Sequence, residues 1–205
     1  MALFSKDEII QRMQEKRAEL GANAVRADTN LALVILGSAL FENRLKSGRD
    51  YGEHPVHVGV SNTRSNTKRI IGLLHDVVED SDWTIDDLRK VGFSERVVKG
   101  VEAMTHTKAE PYFDAIERCS LTPDAVDKKI EDLSHNMDMS RVERFTTEKD
   151  VERLNKYTLS RAFLVAVKKG KVKPGSSLPD FVKGRTDLSS GAVTPALLKK
   201  YSSHP

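Results

Sequence analysis

Apolar and polar residues alternate along this chain with a helical period almost throughout. Ser5-Lys6-Asp7-Glu8 is a capping-box pattern, and Ile9, Ile10, Met13 and Leu20 follow at helical spacing until Gly21. A second helix is predicted from about Asn30 to Leu45. Its first half, Leu31-Ala32-Leu33-Val34-Ile35-Leu36, is apolar on nearly every face and predicts a centrally packed helix. His54-Pro55 opens a short helix through Val56, Val58 and Val60, because proline suits a first turn. The stretch Ile70 to Asp80 reads as one helix that buries six aliphatic residues and presents four hydrophilic ones. Taken as a continuous helix, it sets His75, Asp76, Glu79 and Asp80 at about 0°, 100°, 40° and 140°.

Further helices follow. Thr84 and Ser94 are predicted caps, Gly92 a stop, and Pro111 and Pro123 helix openers. Thr147-Glu148-Lys149-Asp150 caps a long last helix that Gly170 ends. Lys171 to Ser190, with its glycines, prolines and serines, predicts mostly irregular backbone, and Thr194 to Tyr201 at most one short helix. No segment carries a strand alternation. The expectation is an all-α body of seven to nine helices over residues 1–170 and a basic tail over 171–205.

Composition narrows the classes. At 205 residues, 39% hydrophobic and 31% charged, the chain suits one globular core. The longest apolar run is far too short to span a bilayer, so no membrane partner is expected. The start lacks a basic-then-apolar signal pattern, and Cys119 is the only cysteine, which together predict a cytoplasmic setting. The net charge of +3 is uneven: residues 168–205 carry +6 and the remainder −3. Nucleic acid is therefore not an expected partner of the body, and only the tail carries charge for it. Self-association suits helical domains of this kind, though no residue specifies it.

The chemistry concentrates in four positions. His54, His75, Asp76 and Asp132 supply two imidazoles and two carboxylates, a ligand set for Mn²⁺, Fe²⁺, Zn²⁺ or Mg²⁺. Tyr51-Gly52-Glu53-His54-Pro55, then Leu74-His75-Asp76-Val77-Val78-Glu79-Asp80, then Lys129-Ile130-Glu131-Asp132-Leu133-Ser134-His135-Asn136-Met137 resemble three successive motifs of the HD-domain metal-dependent phosphohydrolases. The similarity is greatest to the hydrolase domain of RelA/SpoT-type enzymes, which remove pyrophosphate from the 3′ position of (p)ppGpp. It covers roughly residues 31–164. Small stand-alone proteins of the same superfamily resemble the chain also over Pro111 to Arg118 and Thr147 to Asp150.

The resemblance implies an HD-type helical bundle with one divalent ion, usually Mn²⁺, on His54, His75, Asp76 and Asp132. It implies that Glu79 and Asp80 serve the attacking water. Independently, Glu79 falls four residues after His75 and three after Asp76, on the same face of a helix. Asn136, one turn after Asp132, is a candidate to bond substrate or to hold a ligand. Arg44, Lys46 and Tyr51 are candidate substrate contacts. Lys68, Arg69 and Lys129 join Arg44 and Lys46 as candidates to neutralise phosphates, each of the five better read singly as an exposed solubilising residue. His135 reads as a packed core histidine, and His57 as a partner-facing or surface one.

The chain departs from the (p)ppGpp hydrolases at Leu45, Asp50 and Leu133, where those enzymes commonly carry a basic residue, a proline and a basic residue. The expected activity is thus a phosphohydrolase of a phosphorylated nucleotide, with (p)ppGpp 3′-pyrophosphohydrolysis as one case. Hydrolysis of another phosphoester, or nucleotide sensing without turnover, are the alternatives.

Overall fold

The computed structural model describes residues 4–21, 27–40, 52–141, 146–183 and 195–203. Among them the architecture is all-α, with no strand. The chain divides into two compact units, Met1–Thr105 and His106–Pro205.

The first unit holds seven helices among the described residues: α1 (Lys6–Leu20), α2 (Thr29–Ala39), α3 (Glu53–Val60), α4 (Asn66–Leu74), α5 (Val77–Asp80), α6 (Ile85–Lys90) and α7 (Glu95–Met104). Local sequence sets most of their starts. Ser5 and Glu8 close the expected capping box of α1, Asp28 caps α2 through its carboxylate, and Ser65 and Ser94 cap α4 and α7. Helix α4 is the centre of the unit and packs against α2, α3 and α7. Ile70, Ile71, Leu73 and Leu74 are all buried. The predicted full packing of α2 is not what forms. Ala32, Ile35 and Leu36 are buried, but Leu33 and Val34 are each 43% exposed, because the helix packs along one face only.

Helices α3 and α4 approach backbone to backbone. A methyl group on Gly72 would lie 2.8 Å from the Gly59 Cα, 2.9 Å from its nitrogen and 2.9 Å from the Val58 carbonyl oxygen. Two glycines thus allow a crossing that any side chain on Gly72 would forbid.

Asp87 anchors the start of α6. It is buried, receives the Thr84 hydroxyl and backbone N–H at 2.7 and 3.1 Å, and faces Lys90 at 3.1 Å and Lys6 at 3.4 Å. Burial is the largest single influence on this carboxyl and would raise it. The Thr84 and Lys90 hydrogen bonds and the Lys6 charge together outweigh burial and hold it at about 2. A depressed carboxylate stabilises the fold above its unfolded value near 4, and that contribution is lost as pH falls through the folded value. We therefore expect Asp87→Asn to cost on the order of 2 kcal/mol at pH 7. The difference between variant and parent in urea melts should shrink as pH falls from 4 to 2. A pH-independent difference would contradict this assignment.

The second unit holds α8 (Tyr112–Cys119), α9 (Pro123–Asn136), a 3₁₀ turn at Met139–Arg141, α10 (Glu148–Lys168), α11 (Leu178–Lys183) and α12 (Pro195–Tyr201). Pro123 occupies the first turn of α9 and a Thr147–Asp150 capping box opens α10, both as the sequence predicts. Phe113, Ile116, Leu133, Phe163 and Leu164 form the core, joined by Leu178, Val182 and Leu197 from beyond residue 170. Of the described part of Lys171 to Ser190, residues 171–177 are irregular as expected, and Leu178–Lys183 forms the short helix α11. The end of α8 holds this segment: the Ser120 hydroxyl accepts from Gly175 N–H at 2.8 Å, and the Glu117 carboxylate from Leu178 N–H at 2.6 Å. The short helix predicted within Thr194 to Tyr201 forms as α12.

Candidate metal centre

His54 lies in the first turn of α3 and is 5% exposed, while His75 follows α4 and is 1% exposed. The Gly59–Gly72 crossing brings these two helices together. The rings meet edge to face with centroids 5.1 Å apart, and the two Nε2 atoms lie 3.2 Å from one another.

The expected continuous helix from Ile70 to Asp80 is interrupted at this point. Helix α4 stops at Leu74, His75 and Asp76 form a turn, and α5 is a single further turn. Both residues keep right-handed backbone angles, so the break lies in the hydrogen bonding. The His75 Nδ1 is 2.7 Å from the Gly72 carbonyl oxygen. A carbonyl only accepts, so Nδ1 carries a proton, and in the neutral ring this leaves the lone pair on Nε2. The ring thus competes for a carbonyl that a continuing helix would use. The turn also directs Asp76 to both rings: its oxygens lie 3.1 Å from His75 Nε2 and 3.7 Å from His54 Nε2.

Within the second unit Asp132 is 3% exposed on α9. Lys129 Nζ pairs with one of its oxygens at 2.7 Å, and Asn136 Nδ2 donates to the other at 2.6 Å. Asn136 is therefore a residue that orients Asp132. Lys129 departs from its expected exposed role. Its side chain is 13% exposed, and burial, the largest influence, acts to lower it. The charges of Asp132 and Tyr112 nonetheless raise it above the usual lysine value. The Lys129-to-Asp132 spacing of one helical turn was the available signal for this pairing.

Within the first unit His54, His75 and Asp76 bring two imidazoles and a carboxylate together, and within the second Asp132 offers a buried carboxylate; these are donor types able to hold a metal ion. His75 meets a further requirement, since the hydrogen bond from its other nitrogen fixes the tautomer a ligand needs. Glu79 and Asp80 lie exposed on α5 immediately after Asp76. His57 is exposed and His135 half-buried. Arg69 donates to the Asn66 side chain at 2.8 Å. Cys119 is buried, and burial pushes its thiol up to about 12, so it is no nucleophile. Arg44, Lys46 and Tyr51 lie outside the described residues, as does His204.

The residues that sequence reasoning missed are Gly59 and Gly72, which set the distance between the two histidines. No helix of the described residues is long and apolar enough to cross a membrane. No family model matches the chain, and a search of curated proteins returns no match.

Proposed function

We propose that this protein is a metal-dependent phosphohydrolase of the HD type acting on a phosphorylated nucleotide. The observation that carries the reading is the convergence of His54, His75 and Asp76, with His75 held in the tautomer of a metal ligand. His54, His75, Asp76 and Asp132 would together hold one divalent ion, Mn²⁺ before Fe²⁺, Zn²⁺ or Mg²⁺. When bound, the ion supplies Lewis-acid charge that makes water a better nucleophile and offsets charge developing at phosphorus.

The protein's own groups do the rest. The Gly72 carbonyl keeps the His75 ring oriented, and Lys129 and Asn136 keep the Asp132 carboxylate in one rotamer. Glu79, with Asp80 beside it, takes the proton of the attacking water or orients it in line with the leaving oxygen. Pure binding needs no such pair, which favours turnover over sensing.

The test is product analysis after incubating Mn²⁺-loaded protein with ppGpp and with a panel of other nucleotides and phosphoesters, Asp76→Ala serving as the blank. GDP plus pyrophosphate is the result for 3′-pyrophosphohydrolysis. Release of phosphate or pyrophosphate from another nucleotide assigns a different substrate to the same site. Metal-loaded protein that hydrolyses nothing in the panel would overturn the enzymatic reading.

A further inference from the structure

A second cluster in the second unit has no part in the scheme above. The Lys156 ammonium, on α10, sits over the rings of Tyr112, Tyr201 and Tyr157 at 3.9, 5.0 and 5.1 Å. Three helices contribute to this setting: α8, α10 and α12. The cations around it already have carboxylates. Lys129 pairs with Asp132 at 2.7 Å, Arg153 with Asp150 at 3.0 Å, and Lys200 with Glu152 at 2.6 Å, while the Tyr201 hydroxyl also donates to Glu152 at 2.6 Å. Among the described residues Lys156 has aromatic faces and no hydrogen-bond acceptor.

Arg153, one helical turn before Lys156 on the same face, is also incompletely matched: its Nε is buried and has no acceptor. A positive charge that makes no direct ion pair among the described residues, set near Lys129 and Arg153 and next to an unmet guanidinium donor, is a surplus that an oxyanion would neutralise.

We propose that Lys156 and Arg153 form a binding site for a phosphate group, with Tyr112, Tyr157 and Tyr201 holding the lysine in place. The identification of the anion as a phosphate of substrate or product rests on the phosphohydrolase reading; the site itself does not. Lys156 is lowered to about 8, by burial first and then by the charges of Lys129 and Arg153. The Glu152 charge acts the other way and is outweighed, which is the behaviour of a partly buried cation in a net positive setting.

The experiment is isothermal titration of the full chain with pyrophosphate and, separately, with GDP, in EDTA so that no metal contributes. Wild-type protein should bind pyrophosphate. Lys156→Met should weaken that binding roughly tenfold to a hundredfold, the usual worth of a charged hydrogen bond, and Lys156→Arg should recover most of it. Arg153→Lys, which keeps the charge but removes Nε, should weaken it by a smaller factor and serves if Lys156→Met fails to fold. A parallel loss for GDP assigns the site to a nucleotide phosphate, and a loss for pyrophosphate alone assigns it to the free anion.

No binding by wild-type protein at millimolar pyrophosphate would overturn the proposal. So would unchanged affinity in Lys156→Met with a lowered melting temperature, the mark of a purely structural lysine. Pyrophosphate binding that depends on Lys156, in a protein that hydrolyses no nucleotide, would sink the phosphohydrolase reading and leave this site standing. Active enzyme with an unchanged Lys156→Met affinity would do the reverse.

Discussion

Gly72→Ala is expected to destabilise the first unit by on the order of 3 kcal/mol and to separate His54 from His75. The new methyl would meet three backbone atoms at 2.8 to 2.9 Å. Backbone cannot rotate aside as a side chain can, so α3 and α4 must part by several tenths of an ångström or more. Metal ligands tolerate displacements of only about 0.2 Å. The variant should therefore lose metal affinity as well as stability, although no ligand has been changed.

Gly59→Ala should be milder, since its methyl would press mainly on the Leu73 side chain at 2.7 and 2.9 Å. Gly37→Ala is the control. Nothing lies within 4 Å of its added methyl, and it sits inside α2, so it should stabilise by roughly 0.5–1 kcal/mol. Urea melts of the three variants should rank in that order. Equal stability of Gly72→Ala and Gly37→Ala would show that the helix crossing does not set the site.

Asp76→Ala and Glu79→Gln should separate holding the metal from using it. Asp76 reaches toward both histidine rings, so its loss removes a carboxylate from the donor set, and metal and activity should fall together. Glu79 is exposed on the turn that follows. Replacing its carboxylate with an isosteric amide should keep the metal and lower turnover by about 10²- to 10⁴-fold, the range for losing a general base. Metal content and single-turnover rates measured on the same preparations decide the matter. Parallel loss of metal in Glu79→Gln would make it a ligand and leave the proton without its assigned acceptor.

Much of the fold was legible because its signals are local. Ser5-x-x-Glu8, Thr84-x-x-Asp87 and Thr147-x-x-Asp150 each form the box that their spacing implies, since the partners lie within one turn. Pro123 and Gly170 act where single-residue backbone preferences put them. The departures arise where a distant or competing contact decides. The helical pattern from Ile70 runs on through Asp80, but α4 stops at Leu74, where the His75 ring meets the Gly72 carbonyl. Leu33 and Val34 looked buried because composition cannot say how many sides of a helix are covered. Leu178 and Val182 form a helix because their four-residue spacing meets a core that includes Phe163, within a segment whose composition reads as irregular.

In the site, residue types and order pointed to His54, His75, Asp76 and Asp132 as one set. The orientation of Asp132 by Lys129 and Asn136 was signalled only by their one-turn spacing, and the glycine crossing was not readable, since it is a fact of three-dimensional packing.

Equilibrium dialysis against Mn²⁺ is the most direct test of the central claim that one ion is shared by His54, His75, Asp76 and Asp132. Wild-type protein should bind one ion per chain, and Asp132→Ala should weaken it as severely as His75→Ala. One ion bound by Asp132→Ala with wild-type affinity would contradict the shared centre and confine any metal chemistry to the first unit.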